Sequence, residues 1–153
     1  MPNEPLVDLT IRAARTRDAA ALAGLMCELG YQTAESDMQI RLNQMIPDSN
    51  YRTFVAVEQG RVLGMIGTFA LYSFEHNDLG GRILALVVTK ESRRSGVARR
   101  LIAAAEKDSA QRKITRIAVN TRFERNDAHA FYESLGYTRN GFRFVKNLKP
   151  APD

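Results

Sequence analysis

RILALVVTKESRRSGVARRLI, residues Arg82–Ile102, decides how the chain is read. Its first part, RILALVVT, is rich in branched apolar residues and reads as a buried strand. The second part, ESRRSGVARRLI, sets four arginines around a serine and a glycine and then turns helical. The first amides of a helix have no intrahelical partners and carry the positive end of its dipole. A strand-to-helix turn of small residues therefore presents several N–H groups to one anion. Ser95, Gly96 and Ala98 leave that anion room, and Arg93, Arg94, Arg99 and Arg100 supply charge that reaches phosphate oxygens. A polyphosphate is the natural ligand, although the same stretch read locally is equally the start of a helix with a solvated basic face. The pattern is neither GxxxxGK[ST] nor GxGxxG, which argues against nucleoside triphosphates and nicotinamide dinucleotides.

Working outward, VDLTIR (Val7–Arg12) alternates as a half-buried first strand. A helix follows, with Thr16 as its cap, Leu22, Leu25, Met26 and Leu29 facing inward and Gly30 as its stop. A second helix is expected in SDMQIRLNQMIPD, capped by Ser36 and ended by Pro47. TFVAVEQGRVLGMIGTFALY reads as a hairpin turning at Gln59-Gly60. Downstream of the opening stretch, the helix Ser95–Gln111 leads to a strand ITRIAVN, a short helix in RNDAHAFYESLGY and a last alternating strand FRFVKNL. Hairpins mixed with strand–helix–strand crossovers imply an α/β protein with a mixed, mostly antiparallel sheet and helices packed on it.

With 153 residues the chain is most simply one domain, 1–153, with a real core. Its composition, 44% hydrophobic and 25% charged, is that of a soluble globular protein. The net charge of +5 favours an anionic partner without choosing which. One cysteine, Cys27, excludes an internal disulfide and points to a reducing, cytoplasmic setting. No leader pattern and no apolar run of membrane-spanning length stands in the sequence.

Arg93-Arg94-Ser95-Gly96-Val97-Ala98 resembles the (Gln/Arg)-x-x-Gly-x-(Gly/Ala) signature of the Gcn5-related N-acetyltransferases, or GNAT enzymes. NDAHAFYESLGY, at the expected distance downstream, resembles their Asn-x-x-Ala-x-x-Phe-Tyr motif. More narrowly, HNDLGGRILALVV, NDAHAFYESLGY and FRFVKNL look like the aminoalkylphosphonate N-acetyltransferases within that family. The resemblance implies the GNAT fold over essentially the whole chain and acetyl-CoA as cosubstrate. It implies acetyl transfer to a primary amine by direct attack in a ternary complex.

The resemblance also assigns residues. The turn Arg93–Ala98, with Arg99, would hold the pyrophosphate, and Leu86, Val87 and Val88 would pair with the pantetheine arm. Asn126 matches the family's asparagine on the CoA arm, and Tyr132 its tyrosine that protonates the leaving thiolate, a task that suits a neutral phenol. Without the resemblance, Leu86–Val88 read as core strand, Asn126 as a helix cap and Tyr132 as a packing residue.

Many family members carry a glutamate on the strand entering the turn, whereas RILALVV has no carboxylate. The general base is therefore sought in Glu28, Glu75, His76 or Asp78, with Glu28 and Glu75 foremost, each also readable as a solvated surface residue. Cys27 lies within a helix without a neighbouring histidine in sequence, which argues against an acyl-enzyme. Two histidines make a poor metal set, so no metal is expected, and His129 reads as structural or as an edge contact to CoA. LGYQTAESD and SFEHNDLGG, the expected acceptor walls, carry carboxylates that suit a cationic amine, and Arg52 or Arg82 could instead meet an anionic group such as a phosphonate or carboxylate. A small amine is preferred to a protein or peptide amine, and a homodimer is an open assembly. Two other classes compete: an acetyl-CoA-binding sensor or partner module that transfers nothing, and a nucleic-acid binder. The second is disfavoured because the arginines concentrate at one turn.

Overall fold

The turn at Gln59-Gly60 fixes the register of the central sheet. Both residues hold positive φ, 49° and 75°, the left-handed geometry that a two-residue turn requires between twisted strands. They join β2 (Tyr51–Glu58) to β3 (Arg61–Leu71). The computed structural model describes residues 8–121 and 126–148, and the chain divides into two compact units, Met1–Val119 and Asn120–Asp153.

In the first unit, β1 (Thr10–Ala13), β4 (Gly80–Val88) and β5 (Ile117–Val119) complete a five-stranded sheet in the order β1-β2-β3-β4-β5. The first three pairings are antiparallel and β4–β5 is parallel. Parallel neighbours need a crossover, here supplied by α3 (Val97–Gln111). The expected mixed, mostly antiparallel α/β arrangement is the one observed.

Side chains alternate across a strand, so the sheet has two separately covered faces. On one, Val55, Met65 and Val87 pack with Leu22 and Leu25 of α1 (Ala19–Leu29) and with Met38 and Leu42 of α2 (Glu35–Met45). On the other, a Cβ placed on Gly64 would touch Leu101 of α3 and Val88. Val97, Leu101, Ile102 and Ala105 of α3 are fully buried.

Two expected caps are corrected. A 3₁₀ turn over Thr16–Asp18 precedes α1, and Asp18 rather than Thr16 closes it. The Asp18 carboxylate accepts the Arg15 N–H at 2.8 Å and both terminal nitrogens of Arg12 at 2.8 and 2.9 Å. It outcompetes a hydroxyl because it takes a backbone amide and a guanidinium together. At α2 the cap position is Ala34, whose N–H donates to Asp37 at 3.2 Å, and Ser36 lies inside the helix. Gly30 ends α1 with φ 107°, as its place after the apolar stripe implies.

The second unit holds α4 (Asn126–Ser134), stopped at Gly136 with φ 91°, where the Tyr137 N–H returns to the Tyr132 carbonyl at 3.0 Å. The expected strand FRFVKNL is not formed: residues 142–148 have no strand pairing, and Phe142 and Phe144 are exposed. Alternation specifies two faces, but a strand exists only against a hydrogen-bonding neighbour, and among the described residues this segment has none. For the same reason ITRIAVN shortens to the three residues that reach β4. Val7 lies outside the described residues.

Candidate active site

The partner of β4 changes along its length. Residues Gly81–Ile83 pair with Ile117–Val119, and beyond them no strand lies on that side among the described residues. The departure coincides with a bulge. Gly67 faces Ala85 while Thr68 faces Ile83, which leaves Leu84 with no Cα partner and 51% exposed. An extra residue on one strand bends it and ends regular pairing. The Leu84–Val88 edge of β4 is thereby open to a further strand-like ligand.

The direction of the peptide groups follows by alternation. Thr89 donates its N–H to the Leu63 carbonyl of β3 at 2.7 Å, so Val87, two residues earlier, also turns its peptide groups toward β3. Leu86 and Val88 consequently turn N–H and C=O toward the open side. The Val88 carbonyl accepts the Arg93 Nε at 3.4 Å. Val87 instead contributes a buried side chain to the core.

Immediately past this edge the chain makes a 3₁₀ turn, Lys90–Ser92, and enters α3. Arg94 holds φ 63°, and Gly96, at the cap of α3, holds φ 92°. The left-handed cap needs glycine and aims the first amides of α3 outward. The first helical bond runs from the Arg100 N–H to the Gly96 carbonyl at 3.2 Å, so the Val97 and Ala98 amides precede the intrahelical ladder. Ser95 turns its hydroxyl inward onto the Ser92 carbonyl. Arg93, Arg94, Arg99 and Arg100 are exposed around this point, while Val97 anchors the helix in the core. Small residues, outward amides and exposed positive charge suit a pyrophosphate, and the open edge beside them suits an amide-bearing arm.

The acceptor side of the same unit separates the titratable residues. Asp78 accepts from the Thr115 hydroxyl at 2.5 Å and from Arg116 at 3.0 Å. These contacts, Thr115 foremost, hold its carboxyl below the usual carboxylate range. An acid so stabilised as its anion is a weak base. Glu28 near the end of α1, and Glu75 and His76 in the 72–79 loop, are exposed. Arg52 is engaged elsewhere, 3.5 Å from Asp108 and donating to the Ser49 carbonyl at 3.1 Å. Arg82 is exposed on β4. Cys27 exchanges contacts of 3.4 Å with the Thr33 backbone. Among the described residues no three His, Cys, Asp or Glu side chains gather to hold a metal ion.

Asn126, His129 and Tyr132 all lie on α4 in the second unit. Asn126 opens the helix. Tyr132 sits edge-on between Phe131 and Tyr137, with ring centroids 5.5 and 5.6 Å away. The feature that sequence reading missed is the Leu84 bulge. An unbroken apolar run carries no local sign of an unpaired residue.

Residues 19–137 match the family described as the Acetyltransferase (GNAT) family. The chain belongs to that family and is an N-acetyltransferase. It is 32% identical over 143 residues to an aminoalkylphosphonate N-acetyltransferase of Salmonella typhimurium strain LT2, a match covering 90% of each chain. A GNAT family acetyltransferase of Staphylococcus aureus USA300_TCH1516 superposes with TM-score 0.79 at 28% identity, over 93% of this chain and 100% of that one. AAC(6')-Iy, solved with the bisubstrate analogue CoA-S-monomethyl-acetylneamine, shares the fold at TM-score 0.81 and 16% identity, over 93% and 99% of the two chains. No helix among the described residues is long and apolar enough to cross a membrane.

Proposed function

We propose that this enzyme moves an acetyl group from acetyl-CoA to the primary amine of a small molecule, by direct attack in a ternary complex. The observation that carries this reading is the continuity of the open Leu84–Val88 edge with the left-handed turn at the start of α3. Bound acetyl-CoA supplies an activated thioester carbonyl. Leu86 and Val88 give the pantetheine amides backbone partners, and Val87 holds that stretch of strand against the core. Arg93, Arg94, Ser95, Gly96, Val97, Ala98 and Arg99 form the pyrophosphate turn.

Asn126 is assigned to the CoA arm and Tyr132 to protonation of the departing thiolate, both on their match to the family motif. A neutral phenol can donate at pH 7 without first acquiring a proton. Glu28 and Glu75 are the candidates for the base that frees the amine, directly or through one water. Residues 1–153 are read as one acetyltransferase domain working in the cytoplasm. The Salmonella relative makes aminoalkylphosphonates the first acceptors to try.

Thiol release from acetyl-CoA, followed with and without each amine of a panel, tests the reading. Amine-dependent release is expected. Release at the same slow rate with and without every amine would contradict it.

A further inference from the structure

β4 and β5 are joined over three residues only, and the joint is reinforced at one end. Gly81 faces Ile117, Arg82 faces Ala118 and Ile83 faces Val119, after which the bulge at Leu84 ends the pairing. Two features hold the other end shut. The first is a close approach of backbones. The Gly81 N–H donates to the Arg116 carbonyl at 2.8 Å, and a Cβ built on Gly81 would stand 3.3–3.4 Å from atoms of Ile114, Arg116 and Ile117. Glycine within a strand permits such an approach.

The second is a side-chain clamp that runs from the 72–79 loop to the residues leading into β5. Asp78 accepts the Thr115 hydroxyl on one carboxylate oxygen at 2.5 Å and Arg116 on the other at 3.0 Å. The same Arg116 nitrogen also donates to the Thr115 hydroxyl oxygen at 3.3 Å. Charge-assisted bonds at both oxygens fix the carboxylate's orientation. The side chains of Arg116 and Asp78 are 40% and 41% exposed. Ion pairs so exposed add little to stability, so the clamp acts on local geometry far more than on the free energy of folding.

Two strands closed at one end and released at the other make a fork, and its open limb is the Leu84–Val88 edge given above to the pantetheine arm. Parallel pairing over so few residues is weak by itself. Fraying at Gly81 would move Leu84, three residues on and about 10 Å away at the usual strand rise. The pyrophosphate turn does not share this dependence, because α3 is anchored in the core by the buried Val97 and Leu101. We infer that Asp78 is a positioning residue: with Thr115 and Arg116 it clamps the closed end of the β4–β5 fork and so fixes the edge on which the arm of acetyl-CoA lies. The inference rests on the acetyl-CoA reading and adds what sets the geometry of that edge.

Calorimetric titration of acetyl-CoA, with competition by 3′-phospho-ADP, tests it on the wild-type chain and on Asp78→Ala, Asp78→Asn and Arg116→Ala. The fragment keeps the pyrophosphate and lacks the arm. Asp78→Ala and Arg116→Ala should each weaken acetyl-CoA by about fivefold or more, the lower range of coupling between separated sites. The affinity of 3′-phospho-ADP should stay at its wild-type value, and Asp78→Asn, which keeps an acceptor for the Thr115 hydroxyl, should recover part of the loss. All three variants should melt within about 2–4 °C of wild type. Unchanged acetyl-CoA affinity in Asp78→Ala, or equal losses for acetyl-CoA and the fragment, would overturn the inference while acetyl-CoA binding stands. A fragment that never competes with acetyl-CoA overturns it too, because turn and edge would then not grip separately. A wild-type chain that binds no acetyl-CoA removes the reading beneath it as well.

Discussion

Gly64 and Val87 approach so closely that a Cβ built on Gly64 would stand 2.9 Å from the Val87 carbonyl oxygen, with Leu101 and Val88 carbons at 3.2 Å. The obstacle is backbone on one side and buried core on the other, so neither can give way cheaply. The close contact presses β3 against the stretch of β4 whose other edge is open. Gly64→Ala should overpack the sheet by about 1–3 kcal/mol, lowering Tm by about 2–10 °C for a chain of this size. Thermal unfolding checks this, and acetyl-CoA should bind the variant more weakly because the open edge shifts with β4. A variant as stable as wild type would show that the strand yields freely.

Asp18 is 6% exposed and tied twice to Arg12. The Arg12 hydrogen bonds, against the opposing effect of burial, hold its carboxyl below the ordinary range. A depressed folded-state pKa contributes stability that is complete above the unfolded value of about 3.9 and fades as the pH falls through the lower, folded one. Asp18→Asn keeps an acceptor for the Arg15 amide and removes the charge. It should cost about 2–3 kcal/mol at pH 7, and the gap from wild type should narrow only in strong acid. Denaturant midpoints followed from pH 7 down into strong acid, well below about pH 3, measure it; a gap that stays constant even there would mean that packing rather than the ion pair matters.

Tyr132→Phe keeps the ring between Phe131 and Tyr137 and deletes only the hydroxyl. If the phenol protonates the thiolate, kcat should fall by about 10² to 10⁴, while acetyl-CoA affinity stays near the wild-type value because the hydroxyl acts as the sulfur charge develops. Wild-type turnover across the pH range would return Tyr132 to a packing role.

Much of this arrangement was legible in the sequence. The hairpin at Gln59-Gly60, the stop at Gly30 and the turn before α3 each rest on residues whose backbone preferences are local. The caps were not, because Thr16 and Ser36 are good local caps that lost to carboxylates, Asp18 being drawn in by Arg12 on β1. The last strand depended on a neighbour that no spacing encodes. The bulge at Leu84 and the occupation of Arg52 by Asp108 are products of registry and crossover.

The central claim is that the turn opening α3 holds the pyrophosphate of acetyl-CoA, and calorimetric titration of acetyl-CoA into wild type and Gly96→Val tests it most directly. Gly96 holds φ 92°, so valine there strains the backbone by about 1–2 kcal/mol and also crowds the anion. The variant should stay folded, melting a few degrees lower, and lose acetyl-CoA affinity by tenfold or more. A folded variant that binds acetyl-CoA as tightly as wild type would contradict the account.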